Sequence, residues 1–347
     1  MVTLKDIAQE AGVSITTVSN VINGTPGRVS EKSARHIREI IARRGYVPNA
    51  SARSLAKNKA SIIAIILRGD ENENALENPY NAVLVGTMIQ KIQQHGYYTM
   101  IHMMKGAGNI IQNLRTWNVD GAVFLGMFDN EIEQLYAVSD VPKVFIDSYS
   151  TVRRLSNVGI DDFKGGQLAA RHLIEHGHHD IAFISPPILY TGVIQHRFAG
   201  FCSELKAHGI PVRSDLQFIL DSDVIPESIM ALGRKLAGMT ERFSAAFVTS
   251  DQLASYLIQG MRSAGLRIPE DVSIVGFDNL PLCQQMTPQL TTIAQNLEEK
   301  ATLAVDILFR HLQGGNEVPA ESLILNVALI ERCSVADYSQ SMGRQKG

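Results

Sequence analysis

Cysteine is scarce in this chain. Cys202, Cys283 and Cys333 lie far apart with no CxxC among them, which excludes a disulfide framework and gives a zinc knuckle no support. Long apolar runs are missing too. The longest unbroken apolar or small stretch, Ala60 to Leu67, falls well short of the roughly 18 residues that span a bilayer. The opening MVTLKDIAQEAG lacks the basic-then-apolar layout of a secretory signal. Catalytic signatures are absent as well: there is no GxSxG, no GxxxxGK[ST] and no GxGxxG, since Gly106-Ala107-Gly108 has no third glycine. What is present is ordinary core-forming material, 45% hydrophobic and 19% charged over 347 residues. That is enough for about two or three domains of a reduced, cytoplasmic, globular protein.

The net charge of −3 conceals an asymmetry. Residues 1–60 carry ten Lys/Arg against four acids, whereas the remainder carries 22 against 31. A small basic head on a large acidic body points to a polyanion partner for the head alone.

The head reads as three short helices. Thr3 and Asp6 make an acidic variant of the capping box, so a helix is expected from Leu4, with Leu4, Ile7 and Ala8 on its apolar stripe. Gly12 suits a tight turn. Ser14 then caps a second helix, Ile15 to about Asn23, with Val18, Val21 and Ile22 inward. Ser30 opens a third helix, with Ala34, Ile37 and Ile41 inward and an end near Gly45. Two helices joined by a short glycine-containing turn form a helix-turn-helix, whose second helix fits a major groove about 12 Å wide. The exposed start of that helix, Ser14, Ile15, Thr16 and Thr17, offers hydroxyls for phosphates or base edges and an isoleucine for a thymine methyl. The alternative is a plain helical hairpin in which Ser14 and Thr17 only cap. Beyond it, Pro48 and Asn49 introduce a segment too short to be a stable helix alone. Leu55, set among Arg53, Lys57 and Lys59, is either a wedge for the minor groove or an incidental leucine in a linker.

The body alternates strands with helices. Strands are expected near 61–67, 97–103, 121–125, 143–146, 181–185, 216–220, 245–249 and 273–277, and helices near 81–95, 163–176, 198–208 and 252–264. Two runs of β-α alternation predict two doubly wound parallel units. Ligands in such sheets bind beyond the carboxyl ends of the strands. This singles out Arg68, Asp147, Asp221, Ser250, Asp251 and Asp278, with Tyr80 and Arg197 at helix starts, a set suited to a polar or polyhydroxylated small molecule. The competing reading is that aspartates after strands cap the next helix, as expected for Asp251. His172 and His176 share a helix face, but Gly177 turns His178 and His179 away, so no metal site is expected.

The segments TLKDIAQEAGVSITTVSNVING and RVSEKSARHIREIIARRGYVPNASARSLA closely resemble the DNA-binding head and hinge of the lactose-repressor (LacI/GalR) family. The resemblance continues through VGIDDFKGGQLAARHLIEHGHHDIAFI, HRFAGF, SDQLA, GLRIPEDVSIVGFDN and LTTIAQN, and so covers nearly the whole chain. It implies an all-α helix-turn-helix head on an α/β periplasmic-binding-protein-like body of two doubly wound parallel-sheet subdomains. The divisions expected are head 1–46, hinge 47–60, one subdomain of 61–159 plus 292–317, another of 160–291 plus 318–340, and a tail of 341–347. The resemblance implies a homodimeric, allosteric regulator that binds a palindromic double-stranded operator and a carbohydrate-like effector, with no cofactor and no catalysis. The residues expected at DNA are Thr3, Ser14, Ile15, Thr16, Thr17, Ser19, Asn20, Asn23 and Arg28 in the head, and Asn49, Ala52, Leu55 and Lys57 in the hinge. Those expected at the effector are Arg68, Tyr80, Asp147, Arg197, Ser250 and Asp278. Two departures stand out. Asn20 occupies a position where many members have arginine, so the outer operator bases do not carry over. Ser250 stands where many sugar-binding members have asparagine, which removes a bidentate group and counts against a simple hexose. Some members answer to a protein partner in place of a small molecule, and a solute-binding protein with an unrelated basic head is the rival class.

Overall fold

The computed structural model describes residues 2–22, 24, 28–46, 59–69, 74–104, 116–138, 140–150, 153–188, 192–220, 225–314 and 318–338. Asn23, Asn49, Ala52, Leu55, Lys57 and Asp221 lie outside the described residues. The chain divides into two compact units, Met1–Ala60 and Ser61–Gly347.

In the first unit, helices α1 (Leu4–Ala11), α2 (Ile15–Ile22) and α3 (Glu31–Arg44) enclose a core of Ile7, Val18, Val21, Ile37 and Ile40. The α1 capping box forms as expected: Asp6 N–H donates to the Thr3 hydroxyl at 3.3 Å, and Thr3 N–H to the Asp6 carboxylate at 2.8 Å. Gly12 takes φ +64°, the left-handed geometry that lets the chain turn sharply into α2. One inward assignment shifts. Ile40, not Ile41, completes the buried stripe of α3, because Ala34, Ile37 and Ile40 follow one another at i+3 while Ile41 sits at its edge.

The second unit holds two six-stranded sheets. The first comprises β1 (Ile62–Arg68), β2 (Tyr98–Met104), β3 (Gly121–Leu125), β4 (Lys143–Ile146), β5 (Asn157–Ile160) and β11 (Ser322–Leu325), in the order β11-β5-β4-β3-β1-β2 and parallel throughout. Alternation along β1 feeds two cores at once: Ile63, Ile65 and Leu67 face one, and Ala64 and Ile66 face the other. That is why the strand is apolar without a break. Helices α4 (Pro79–Gln94) and α11 (Leu297–Gly314) cover the first of these cores, and α5 (Asp129–Val138) lies on the other.

The second sheet comprises β6 (Ile181–Ser185), β7 (Gln217–Ile219), β8 (Ala245–Val248), β9 (Ser273–Asp278), β10 (Thr291–Ala294) and β12 (Ala328–Ile330), in the order β12-β10-β9-β8-β6-β7, with only the β10–β12 pair antiparallel. Helices α6 (Asp162–Glu175), α7 (Val193–Ala207), α8 (Pro226–Ala237) and α9 (Asp251–Ser263) accompany it, with the short α10 (Leu282–Gln285) after β9. The expected helix near 198–208 therefore begins five residues earlier, at Val193.

The chain passes between the sheets three times: after β5, after β10 and after β11. Two expected boundaries move. Residues 292–294 belong to β10 in the second sheet, paired with β9, and residues 322–325 form β11 in the first, paired with β5. Each of these strands is only four residues long, so its sheet is settled by pairing and not by local periodicity.

Helices α6 and α7 meet at glycines. A Cβ on Gly166 would lie 2.0 Å from the Arg197 carbonyl oxygen, and one on Gly200 would lie 1.9 Å from that of Phe163. Both approaches are to backbone, which cannot rotate aside. Gly200→Ala is therefore expected to destabilise the body by about 3 kcal/mol, the upper end for overpacking, read from urea denaturation. A loss within experimental error would show that the two helices can slide apart.

Candidate functional site

Both sheets run in the order that reverses direction next to their first strand, and ligand crevices form at such switch points. In the first sheet the switch lies between β1 and β3, and in the second between β6 and β8. The chain leaving these strands, Arg68 and Gly126 on one side and Pro186 and Thr249 on the other, lines a single cavity of about 320 Å³. All six side chains expected at an effector border it: Arg68, Tyr80 and Asp147 from the first lobe, and Arg197, Ser250 and Asp278 from the second.

Each cation of the cavity is already matched. Arg68 N–H donates to Glu131 at 2.6 Å, and its guanidinium lies 4.3 Å from the Phe128 ring centroid. Arg197 is buried: its Nε–H donates to Asp162 at 2.7 Å and a terminal N–H to the Thr249 carbonyl at 2.6 Å, while the Phe277 ring backs it at 3.5 Å. It sits one turn inside α7, not at the helix start, because α7 begins at Val193. Removing it would strand Asp162 as a buried charge, a loss of about 3–5 kcal/mol by the usual cost of breaking such a pair.

The Asp147 side of the cavity depends on a residue that the motif reading passed over. Lys300 on α11 has no exposed surface. Its ammonium donates to both Asp147 oxygens at 2.7 and 3.0 Å, to Gln295 Oε1 at 2.5 Å, and reaches the Tyr80 oxygen at 3.3 Å. The Tyr80 hydroxyl donates to Asp147, and burial together with that carboxylate holds the phenol well above its ordinary range. Gln295 in turn donates to Asp278 at 2.6 Å. A signal did exist. In α11, Leu297, Lys300, Ala301, Ala304 and Leu308 form one buried stripe, and a lysine inside such a stripe demands a buried partner.

Two aspartates differ from simple caps. The cap of α9 is Ser250, whose hydroxyl accepts from Leu253 N–H at 3.2 Å. Asp251 is instead buried, accepting from Leu280 N–H at 2.9 Å and from the Thr292 hydroxyl at 2.6 Å. The expectation that it caps the helix is corrected: the serine one residue earlier already satisfies the free amide. Asp278 takes φ +114° at the end of β9. Burial pushes its carboxyl up to about 8 against the opposing pull of Arg197, and pushes Asp251 up to about 6.

Other candidates fall elsewhere. His176 Nδ1 lies 2.8 Å from the His172 carbonyl oxygen, and His178 sits between the Ser244 hydroxyl and the Ala336 carbonyl. Among the described residues no three His, Cys, Asp or Glu side chains are grouped to hold a metal, and no helix is long and apolar enough to cross a membrane.

In the head, Ser14 accepts from Thr17 N–H at 3.1 Å and shares a hydrogen bond with its hydroxyl at 2.8 Å, capping α2. Ser14, Ile15 and Thr16 are exposed at the start of that helix, Ile15 to 48% although it is isoleucine. Thr3 and Arg28 are exposed, and Thr17, Ser19 and Asn20 are half-buried. A large apolar residue exposed at a helix start can contact a thymine methyl, and the hydroxyls beside it can hydrogen-bond base edges.

Known proteins match this chain in both its head and its body. The model described as bacterial regulatory proteins, lacI family, matches residues 3–49, and that of the periplasmic binding protein-like domain matches residues 170–335. The HTH-type transcriptional repressor PurR of Edwardsiella ictaluri is 33% identical over 347 residues, 97% of this chain and 98% of its own. Catabolite control protein A of Priestia megaterium is 30% identical over 318 residues, 90% and 92% of the two chains. Among solved structures, the lac repressor dimer bound to operator and the anti-inducer ONPF matches with a TM-score of 0.84 at 26% identity, covering 96% of this chain and 99% of that one. The transcriptional regulator CelR–cellobiose complex matches at 0.70 and 27%, covering 96% and 100%.

The raised Asp278 carboxyl has a consequence for stability. Unfolded, it titrates near 3.8; folded, it keeps its proton to about 8. Between these values unfolding releases a proton, so this group makes stability fall as pH rises. Chemical denaturation of the ligand-free protein is expected to give lower stability at pH 8 than at pH 5, and Asp278→Asn should shrink that difference. An identical pH profile in the variant would remove Asp278 as its source.

Proposed function

This chain belongs to the LacI family of bacterial regulatory proteins and is a DNA-binding transcriptional regulator, not an enzyme, and from that premise we propose that a small polyhydroxylated molecule in the interlobe cavity controls its grip on an operator. The observation that carries this reading is the convergence of six polar side chains, three from each lobe, on one cavity. The cellobiose held by one structural relative supports the ligand class. The operator-bound dimer of another supports a homodimer acting on a palindromic duplex.

The mechanism rests on differential affinity. A ligand that contacts both lobes favours the arrangement in which its contacts are complete, and shifts the equilibrium by no more than that difference. In a dimer the lobe arrangement sets the spacing of the two hinges. Closely spaced hinges, each with Leu55 as a minor-groove wedge, complete the operator contact; separated ones leave only the heads, which bind more weakly. Within each head, Ser14, Thr16 and Thr17 meet phosphates or base edges at the start of α2, and Ile15 meets a thymine methyl. Thr3, Ser19, Asn20, Asn23, Arg28, Asn49, Ala52 and Lys57 complete the contact surface. We place the protein in the cytoplasm, with its operator.

Selection from a random duplex library tests this directly. The expected product is a palindromic site whose affinity falls steeply with salt. Ile15→Ala should weaken that site about tenfold, within the range for one base contact, with melting temperature and non-specific binding unchanged. Enrichment of no sequence, or equal loss on specific and random duplexes, would refute the assignment.

A further inference from the structure

Lys300 does not line the cavity, yet the corner formed by Tyr80 and Asp147 is arranged around it. A hydrogen-bond count shows what that corner can still do. An ammonium has three N–H donors, and those of Lys300 are spread over Asp147, Gln295 and the Tyr80 oxygen. The single Tyr80 proton is given to Asp147. A carboxylate offers about four lone-pair positions. On Asp147 one oxygen takes Lys300 and Tyr80 and the other takes Lys300 alone, leaving an acceptor position open. Every donor of the corner is spent, and what remains is acceptor.

Across the cavity the balance is reversed. Arg197 has committed Nε and one terminal nitrogen, so part of its five-donor fork remains, beside the Asp278 oxygen that Gln295 does not occupy. Hydroxyl groups, which both donate and accept, satisfy both ends. A phosphate or carboxylate accepts only. Placed at the Tyr80–Asp147 corner it would meet lone pairs with no proton between, and no cation there lacks its own counter-charge.

We infer that Lys300 is the positioning residue that sets ligand class: by donating to the Tyr80 oxygen and to both Asp147 oxygens it turns the Tyr80 proton onto Asp147, and the corner is left with acceptor positions that take ligand hydroxyls and reject ligand anions. This rests on reading the cavity as the effector site, and adds that the effector is an uncharged polyol and not its phosphate ester.

The test uses isothermal titration of the full-length protein with D-ribose, D-glucose, D-fructose and cellobiose, and with ribose 5-phosphate, glucose 6-phosphate and fructose 6-phosphate. At least one neutral sugar should bind, and its phosphate ester at least tenfold more weakly. The double variant Lys300→Met, Asp147→Asn removes both buried charges together, so neither is stranded. Asparagine also tolerates the φ of +51° at position 147, and its amide supplies a donor. In this variant the neutral-to-phosphate affinity ratio should fall at least tenfold, whereas general loosening would weaken both ligands alike. On the unaltered protein, single deoxyfluoro analogues of the bound sugar supply a second measurement. Fluorine cannot donate, so one position should lose at least tenfold in affinity. A phosphate ester that binds as well as its parent, an unchanged ratio in the double variant, or indifference to fluorine at every position would each overturn the role of Lys300 while leaving a small-molecule effector in place. Failure of every probe to bind would overturn the carbohydrate reading itself, and this inference with it.

Discussion

A guanidinium inside a protein must bring its counter-charge with it, and much of the cavity's second wall follows from how Arg197 meets that demand. Its partner Asp162 stands at the first turn of α6 while Arg197 sits on α7, so the ion pair requires the two helices to pack closely. Gly166 and Gly200 allow that approach by presenting bare backbone to carbonyl oxygens. The same arginine uses the Thr249 carbonyl at the end of β8 and the Phe277 ring of β9, tying α7 to the strand ends from which Ser250 and Asp278 project. Packing and charge here are one constraint, which explains why Asp162, Arg197 and Asp278 are tolerated although all three are buried.

The first lobe solves the same problem with different parts. Lys300 plays the role of Arg197, Asp147 that of Asp162, and Gln295 links this network to Asp278 across the crossing from β10 to α11. Each lobe therefore sets a matched ion pair at the cavity wall, and the Gln295 amide joins the two sides. A ligand that engages Asp147 and Asp278 together acts on both ends of that link, a direct route from binding to lobe angle.

Much of this was legible in the residues. The long apolar strands, the glycine stops and the capping serines announced most of the alternating body and all three head helices, because each depends on local periodicity or on a cap. The six cavity residues were legible for a topological reason: strand ends in doubly wound sheets converge. Strands β5, β10, β11 and β12 were not recognised. NVGI, SLIL and ALI are too short to show a period, and NVGI carries an asparagine and a glycine that local propensity sets against a strand. Lys300 was missed because it belongs to no motif, and its significance appears only once Asp147, distant in sequence, is seen facing it. Asp251 was misjudged because an aspartate after a strand looks like a cap whether or not a neighbouring serine has already done that work.

The threefold passage of the chain between the sheets also governs how the protein can be born. The first lobe begins at β1, yet α11 and β11, which cover its core and extend its sheet, come from the last 51 residues of the chain. On a ribosome that extends the chain at about 5–20 residues per second, the three-helix head can emerge and fold early, but the lobe behind it must wait, with part of its apolar face uncovered, until the whole second lobe has been synthesised. An immature chain thus carries a complete set of head helices on an incomplete body, with Lys300 not yet present to meet Asp147.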